Sequence, residues 1–278
     1  MATTVLTPIV DVLPEPENDS PLSRIWAWSW PKLLALGLVL GAWQIVVWSG
    51  WRPEYVLPGP IPTLQAVWEM MGTDRFWSAI ATTLTRAVAG FALALLIGTT
   101  IGVLVARVRP LRLAVGALIT GLQTMPSISW FPLAILLFGI NEQAILFVVV
   151  LGAAPSIANG VISGIDQVPP AFWRLGRVLG AGPFAMYRNI ILPAALPGYV
   201  SGLTQGWAFA WRSLMAGELL VIIAERPSLG AQLEFARQLA KAPQLLGTML
   251  VILVIGMLVD GLFSSASRRM RERRGLAT

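Results

Sequence analysis

The sequence predicts an all-α polytopic membrane protein with six transmembrane helices. Of its 278 residues, 56% are hydrophobic and only 12% are charged, whereas an average globular domain carries about 25% charged residues. A soluble domain of this size could not cover its surface with so few charges. Long apolar stretches recur along the chain, and basic residues concentrate in alternate loops between them.

Each predicted span follows from length and apolarity. A bilayer core about 30 Å thick requires about 20 mostly apolar residues in a helix. Six stretches meet this requirement, at about residues 33–48, within 76–105, and at 111–138, 144–165, 195–222 and 246–263. Pro126 and Pro132 interrupt the third stretch, which predicts a broken or kinked helix, or one flanked by a re-entrant segment.

Basic residues decide the orientation, because short cytoplasmic loops carry an excess of Lys and Arg. With six spans, both termini lie on one side, together with 13 of the 20 basic residues. Those residues are Arg24, Lys32, Arg107, Arg109, Arg112, Arg174, Arg177, Arg188, Arg268, Arg269, Arg271, Arg273 and Arg274. Splitting the third stretch into two spans would send Arg174, Arg177 and Arg188 to the outside. We therefore expect both termini to be cytoplasmic.

Two polar tails flank the predicted transmembrane domain, which covers residues 32–266. Residues 1–31 form the N-terminal tail, and no basic segment precedes an early apolar run, so we do not expect a signal peptide. The acidic residues of this tail are Asp11, Glu15, Glu17 and Asp19. Residues 267–278 form a basic tail, whose position directly after a span predicts contact with anionic lipid and not with nucleic acid.

The residue types that are missing exclude several classes of chemistry. The chain has no Cys and no His, which excludes disulfides, thiolate or imidazole metal sites and Cys–His nucleophile pairs. Neither Lys32 nor Lys241 follows a glycine, so the chain carries no phosphate-binding loop. We therefore expect a non-catalytic chain that binds no metal and no cofactor of its own.

The loop between spans four and five, at about residues 167–193, has the pattern of two short helices at the membrane surface. Pro170 suits the first turn of a helix, and an apolar face then recurs at helical spacing. The residues of that face are Phe172, Leu175, Val178 and Leu179. Gly180 suits a left-handed helix end, and Gly182-Pro183 begins a second turn that Pro193 closes. The pattern fits a helix lying in the lipid interface or a docking helix for a partner.

The same loop resembles the signature of ABC importer permeases, the membrane components of binding-protein-dependent transport systems. That signature reads Glu-Ala-Ala, three residues, Gly, nine residues, Ile, one residue, Leu-Pro. Gly180, Ile190 and Leu192-Pro193 match it at the right spacing, whereas residues 174–176 read Arg-Leu-Gly in place of Glu-Ala-Ala. The resemblance extends over about residues 60–265.

The resemblance implies a type I ABC importer permease fold, whose cytoplasmic coupling helix fits a groove on an ATPase. The residues that it assigns to ATPase coupling are Phe172, Arg174, Leu175, Gly176, Arg177, Gly180, Ile190, Leu192 and Pro193. It also implies two cytoplasmic ATPase subunits carrying ATP and Mg²⁺, an extracytoplasmic binding protein, and a second permease copy as a homodimer or a related partner. The location implied is the bacterial plasma membrane, and the mechanism is alternating access.

Three further strings narrow the branch of the family. Residues 57–63 resemble the short entry segment of the family before span two, and residues 126–139 and 210–219 resemble its nitrate, sulfonate and taurine branch. We therefore expect import of a small anion, namely an aliphatic sulfonate, taurine or nitrate. One alternative is an ion-coupled secondary transporter, which the lack of mid-membrane carboxylates and of His disfavours. The other is a membrane scaffold whose surface helix recruits a cytoplasmic partner.

Arg212 is the leading candidate for contact with the transported anion. It follows Pro197 by 15 residues, or about 22 Å along a helix, and a charge inside a span costs about 2.5–3.5 kcal/mol. It should face a wet cavity, where a guanidinium binds oxyanions. The other residues of the predicted path are Gln205, Trp207, Trp211, Ser213, Gln123, Ser127 and Asn159. The alternative for Arg212 is an internal ion pair with Glu218 or another carboxylate, or snorkelling to the outer interface.

Two predictions concern span two, and one concerns the outer loops. Arg86 is expected to mark the outer membrane interface at the start of this span. Gly98 and Gly102 form a small-xxx-small pair that favours helix packing. The outer loops, at about residues 51–77 and 225–243, are the expected surface for the binding protein.

Overall fold

The computed structural model describes residues 21–273 and contains no strand within that range. The acidic residues of the predicted N-terminal tail, and Arg274, lie outside the described residues. The helices are α1 (Pro21–Trp48), α2 (Pro60–Met71), α3 (Asp74–Arg107), α4 (Arg109–Thr124), α5 (Phe131–Phe138), α6 (Glu142–Asp166), α7 (Pro170–Val178), α8 (Pro183–Met186), α9 (Leu192–Leu220), α10 (Leu229–Gln238) and α11 (Ala242–Arg273).

The chain divides into two units, Met1–Glu54 and Tyr55–Thr278. The first unit contains α1, which begins at Pro21 and so extends into the predicted N-terminal tail. The second contains α2 to α11, and α11 likewise continues to Arg273, into the predicted basic tail. The helical periodicity therefore runs past both ends of the apolar stretches.

Each of the six predicted spans coincides with a helix or with the α4–α5 pair. Helices α1, α3, α6 and α11 contain segments long and apolar enough to cross a membrane, and the bent α4–α5 pair adds a fifth candidate. Helix α9 matches the remaining predicted span and has 29 residues, about 43 Å at the helical rise, but it is not among the helices apolar enough to be candidate spans. The all-helical fold is confirmed, and the crossing by α9 remains a prediction.

The third span is broken where its prolines predict a break. Helix α4 ends at Thr124, Pro126 follows, and a 3-10 turn over Ser127–Trp130 leads into α5. The segments Pro110–Thr124 and Ser127–Phe138 meet at 103°. Pro126 has no backbone N–H and cannot continue the hydrogen-bond ladder of α4.

Helices α6 and α9 are antiparallel and pack through glycines. A Cβ added to Gly160 would lie 2.5 Å from the Cα of Gly202, and one added to Gly164 would lie 2.6 Å from the carbonyl oxygen of Ala195. The two backbones are therefore in direct contact, which only residues without a Cβ allow.

Helix α3 runs parallel to α6 and uses the predicted glycine pair. A Cβ on Gly98 would meet the carbonyl oxygen of Ala154 at 2.6 Å, and one on Gly102 would meet Cβ of Val161 at 2.7 Å. The packing role of this pair is confirmed. Because α3 and α6 are parallel and α9 is antiparallel to them, the α7–α8 loop lies at one end of the core, here called the loop end. Glu142, Glu218 and α10 lie at the other, the α10 end.

Candidate functional site

Helix α7 at the loop end is closed by a left-handed glycine. Gly180 has a φ of +69°, and its N–H donates to the carbonyl oxygen of Arg177 at 3.1 Å. The N–H of Ala181 donates to the carbonyl oxygen of Gly176 at 2.9 Å. These two bonds form a Schellman motif. The helix end predicted at Gly180 is confirmed.

The inner side of α7 packs tightly on the segment that follows it. Gly176 is buried, and a Cβ there would lie 2.4 Å from Sδ of Met186 and 2.8 Å from Cδ1 of Ile190. Trp173 packs edge-on against Tyr187, with ring centroids 5.8 Å apart. The glycine that replaces the second alanine of the family signature is thus the residue that lets this segment approach α7.

The second turn of the loop does not end at Pro193, contrary to the prediction. Helix α8 passes through a π-helical turn over Tyr187–Ile191 directly into α9, which begins at Leu192. Pro193 therefore lies in the first turn of α9. The N–H of Leu192 donates to the carbonyl oxygen of Tyr187, five residues earlier, so the helical hydrogen bonding continues up to this proline. The loop is consequently continuous with a core helix.

The outer face of α7 is apolar and exposed. Phe172 is 42% exposed, Leu175 51%, Val178 84% and Leu179 70%. Arg174 and Arg177 are also exposed. Within residues 21–273 no element covers this face, so the predicted amphipathic pattern is oriented with its apolar side away from the chain's own core.

A cavity of about 240 Å³ lies at the α4–α5 break, where α6 and α9 face it. It brings together three residues of the predicted path, namely Gln123, Ser127 and Arg212. The remaining lining residues are Leu122, Thr124, Met125, Pro126, Ile128, Trp130, Leu151, Gly152 and Phe209. The cavity therefore combines one cation and a few polar groups with mostly apolar walls.

Arg212 has no acidic partner within the described residues. Its Nε donates to the carbonyl oxygen of Ala208 at 3.0 Å, and its guanidinium lies 4.7 Å from the ring centroid of Phe209. The predicted alternative, an ion pair with Glu218, is wrong, because Glu218 is engaged elsewhere, as described below. The charge of Arg212 is compensated by no carboxylate of residues 21–273.

The other path residues lie around the cavity in different ways. The side chain of Gln123 donates to Ser156 Oγ at 3.0 Å, which ties α4 to α6. The hydroxyl of Ser213 is fully buried, has no hydrogen-bond partner among the described residues, and contacts Gly152 of the cavity wall, where a Cβ would approach it to 2.4 Å. Asn159 and Gln205 are exposed on α6 and α9 and do not line the cavity.

The two predicted tryptophans belong to an aromatic cluster instead. Trp207 is buried and stacks on Phe263 and on Trp211, with centroids 5.5 and 6.2 Å apart, and it packs edge-on against Phe91 at 5.4 Å. This cluster joins α3, α9 and α11. Neither tryptophan lines the cavity of Arg212.

Arg86 lies at the centre of a buried ion-pair network at the α10 end. It is only 4% exposed. Its Nε and Nη2 donate to the carboxylate of Glu142 at 2.8 and 2.6 Å, and its Nη1 donates to Glu218 Oε1 at 2.9 Å. Helix α3 begins twelve residues earlier, at Asp74, so Arg86 does not mark the start of this helix. Its expected position at the outer membrane interface stays a prediction.

Glu218 joins this network to the first residues of α10. Thr83 donates its hydroxyl to Glu218 Oε2 at 2.9 Å, and the N–H of Gly230 donates to the same oxygen at 3.0 Å. The N–H of Leu229 in turn donates to Thr83 Oγ1 at 3.0 Å. The carboxylate thus satisfies a donor at the positive end of α10.

A second cavity, of about 210 Å³, lies between α2, α10 and α11 at the same end. Arg75 and Lys241 are the charged residues among those that line it. On α10, hydrogen bonds from Arg237, and then from Gln238, lower the pKa of Glu234 to about 2. In α10 itself, Leu229 and Ala236 are buried.

The ion-pair network of Arg86 was not predicted from the sequence. Its members lie in different helices, separated by up to 135 positions. The rarity of charged residues could have indicated the pair. Arg86 and Glu218 carry opposite charges close to apolar stretches, in a chain that is only 12% charged. Such charges are almost always paired.

Comparison with known proteins identifies the type of chain. Residues 94–272 match the model of a family described as "Binding-protein-dependent transport system inner membrane component". The chain is similar to the putative aliphatic sulfonates transport permease protein of Bacillus subtilis, at 26% identity over 248 residues, covering 89% of each chain. It is also similar to the nitrate import permease protein of Synechocystis, at 29% identity and covering 73% of this chain and 77% of that one.

The chain is also similar to a permease for a third anion and to a solved transporter structure. The bicarbonate transport system permease protein of Synechococcus elongatus is 31% identical over 204 residues, covering 68% of this chain and 72% of that one. A solved structure of the MetNI methionine ABC transporter, in an inward-facing conformation, matches with a TM-score of 0.60 at 22% identity. The match covers 70% of this chain and 96% of the solved one. At that identity the likeness shows a shared fold.

Proposed function

The chain belongs to the family of binding-protein-dependent transport system inner membrane components, and from this premise we propose that it imports a small anion as the permease subunit of an ABC transporter. The relatives named above are described as permeases for aliphatic sulfonates, nitrate and bicarbonate. All three cargoes carry negatively charged oxygens. A cavity that holds an arginine without a carboxylate partner among the described residues suits such a cargo.

The observation that carries the proposal is the exposed apolar face of α7. A buried Gly176 fixes the inner side of this helix against Met186, and the cap at Gly180 fixes its end. The face that contains Val178 is thereby held rigidly toward solvent. An exposed apolar patch of this kind is typical of a docking site for a partner protein or a membrane surface. The partner is a cytoplasmic ATPase subunit, one for each of two permease copies.

A movement of α7 would be transmitted directly to the core helices α9 and α6. The loop enters α9 through a π-helical turn without a break, and α9 is held to α6 at Gly160 and Gly202. Movement of the ATPase pair would therefore displace α6 and α9 together, and the permease would alternate between inward and outward access. ATP and Mg²⁺ bind to the ATPase subunits, and hydrolysis takes place there.

The orientation that we propose places the loop end and both termini in the cytoplasm of a bacterium. The α10 end then faces outward and receives the binding protein, with α2 and α10 as the contact surface. The second permease copy, identical or related, completes the path. The polar residues exposed on α6 and α9, Asn159 and Gln205, belong to that path.

Reconstitution into vesicles tests the proposal. Uptake of the anion should require the ATPase subunits, ATP and the binding protein together. Transport without an ATPase would contradict the proposal in favour of a secondary transporter. A complex in which substrate never stimulates ATP hydrolysis would indicate a scaffold.

The docking face can be tested with one matched pair of variants. Leu175→Asp places a charge in the exposed face of α7 and should reduce co-purification of the ATPase at least tenfold. Leu239→Asp makes the same change at a residue that is 64% exposed at the other end of the core, and it should leave ATPase binding unchanged. Equal ATPase binding by Leu175→Asp and the wild type would exclude α7 as the docking element.

A further inference from the structure

The cavity at Arg212 has the composition of a site for an amphiphilic anion. Its one cation is accompanied by the amide of Gln123 and the hydroxyls of Thr124 and Ser127. The other eight lining residues are apolar apart from the indole N–H of Trp130. They are Leu122, Met125, Pro126, Ile128, Trp130, Leu151, Gly152 and Phe209.

The charged group of a ligand would lie at Arg212. The Nε and the ring face of this guanidinium are already used by Ala208 and Phe209, so the Nη groups are the donors that remain. They make no hydrogen bond to the described residues. A guanidinium edge matches two oxygens of one oxyanion. Gln123 donates to Ser156, which holds its amide at the cavity with an oxygen and a second N–H to spare.

The position of the cavity along its helices is a second argument that its ligand is an anion. Gly152 lies ten residues from the start of α6 at Glu142, or about 15 Å along the helix. Arg212 is eight residues from the end of α9. Both residues are thus well inside their helices. In the span proposed for α9, the exposed side chain of Arg212 would carry an uncompensated charge, which is costly in a membrane. A bound anion would offset that cost.

The apolar walls favour binding of one of the three kinds of anion that the relatives are described as transporting. Nitrate and bicarbonate have no apolar part, so contact with Trp130, Leu151 or Phe209 would only desolvate them. An alkanesulfonate has three oxygens on a tetrahedral sulfur for Arg212 and a hydrocarbon tail for these walls. A volume of about 240 Å³ is close to the lower end of the usual range for small-ligand pockets, about 300 Å³, and so suits a short tail.

We infer that this cavity binds a short-chain organic sulfonate, with the sulfonate group at Arg212 and the tail against Trp130, Leu151 and Phe209. The inference rests on the proposed function and deepens it, because it names the class of cargo and the point at which the permease itself contacts that cargo. Arg212 binds the charged group, and the apolar walls set the preference for an alkyl chain.

Equilibrium dialysis of radiolabelled methane- and butanesulfonate against the full-length chain, purified with its ATPase subunits, tests the inference. Each added methylene should tighten binding up to about fourfold, because its burial in an apolar site is favourable. Nitrate and bicarbonate should not compete at equal concentration. Taurine should compete more weakly than ethanesulfonate, because its ammonium group would be desolvated by the walls.

Three variants locate the site. Arg212→Gln should weaken butanesulfonate binding at least tenfold, and Arg212→Lys should recover part of it. Leu151→Ser should reduce the dependence on chain length while binding of methanesulfonate persists. Arg52→Gln, a matched change at an exposed arginine stacked on Trp51, should change nothing.

Two outcomes would overturn the inference. One is binding that does not depend on chain length, and the other is unchanged affinity in Arg212→Gln. Either could occur in a complex that still imports an anion with ATP, in which case the proposed function would stand. If the chain does not associate with an ATPase at all, the proposed function fails, whatever the dialysis gives.

Discussion

The guanidinium of Arg86 donates from Nη1 to Oε1 of Glu218 at 2.9 Å, across 132 positions of sequence. Glu218 is fully buried and Arg86 almost so. Through Gly230, the same carboxylate holds the start of α10. One ion pair therefore fastens the surface helix of the α10 end to two helices of the core.

Loss of the arginine should be the most destabilising single change in this network. Arg86→Met leaves two carboxylates, those of Glu142 and Glu218, without their cation. Breaking a buried pair on one side costs about 3–5 kcal/mol, and Glu218→Gln should cost less because its hydrogen bonds to Thr83 and Gly230 can persist. The thermal unfolding temperatures of the detergent-solubilised wild type and variants measure this order of destabilisation.

Arg226→Met is the control for the ion-pair network. Arg226 lies 3.6 Å from the same Glu142, but its side chain is 65% exposed. An exposed pair contributes about 0–1 kcal/mol, so this variant should unfold close to the wild-type temperature. If Arg86→Met and Arg226→Met unfold at the same temperature, the buried network is not a main support of the α10 end.

Gly230 should tolerate no side chain. A Cβ there would lie 2.4 Å from Cβ of Glu218 and 2.9 Å from its backbone carbonyl carbon. Gly230→Ala should therefore push the start of α10 away from Glu218 and expose α10 to limited proteolysis. Gly182→Ala, where nothing lies within 4 Å, should be cut like the wild type. Unchanged protection in Gly230→Ala would show that α10 can shift without losing its contacts.

The contact between α6 and α9 should be equally intolerant. Gly160→Ala would bring a methyl group to 2.5 Å from the Cα of Gly202, and overpacking of this kind costs about 1–3 kcal/mol. Gly116→Ala, in α4 with nothing within 4 Å, should be neutral or stabilise by up to about 1 kcal/mol, because alanine is the better helix former. Unfolding temperatures of the two variants should therefore shift in opposite directions, or only Gly160→Ala should shift.

Gly180 should be required for docking of the ATPase. Its φ of +69° costs an ordinary L-residue about 1–2 kcal/mol, so Gly180→Ala should loosen the end of α7 and lower ATPase activity stimulated by the binding protein. Gly180→Asn should be milder, because asparagine tolerates this conformation better. Identical stimulated activity in Gly180→Ala and Gly180→Asn, both at the wild-type level, would mean that the cap has no influence on coupling.

Local sequence was sufficient for much of the fold. Apolarity and length placed the spans, Pro126 placed the break, and Gly180 placed the end of α7, because each of these depends on a residue and its nearest neighbours. The amphipathic face of α7 was visible for the same reason, since four apolar residues at helical spacing lie within eight positions of one another.

The tertiary structure decided which charges meet. Arg86 and Arg212 are both single arginines close to or inside an apolar stretch, and their positions in the sequence do not say which of them meets a carboxylate. The parallel packing of α3 on α6 and the antiparallel packing of α9 bring Arg86 to Glu142 and Glu218, and they leave Arg212 at a cavity without a carboxylate. The sequence by itself determined which segments are helical, where the third span breaks and where α7 ends. Pairing between residues more than a hundred positions apart depends on how the helices pack, and only the folded chain could assign one arginine to structure and the other to a candidate binding site.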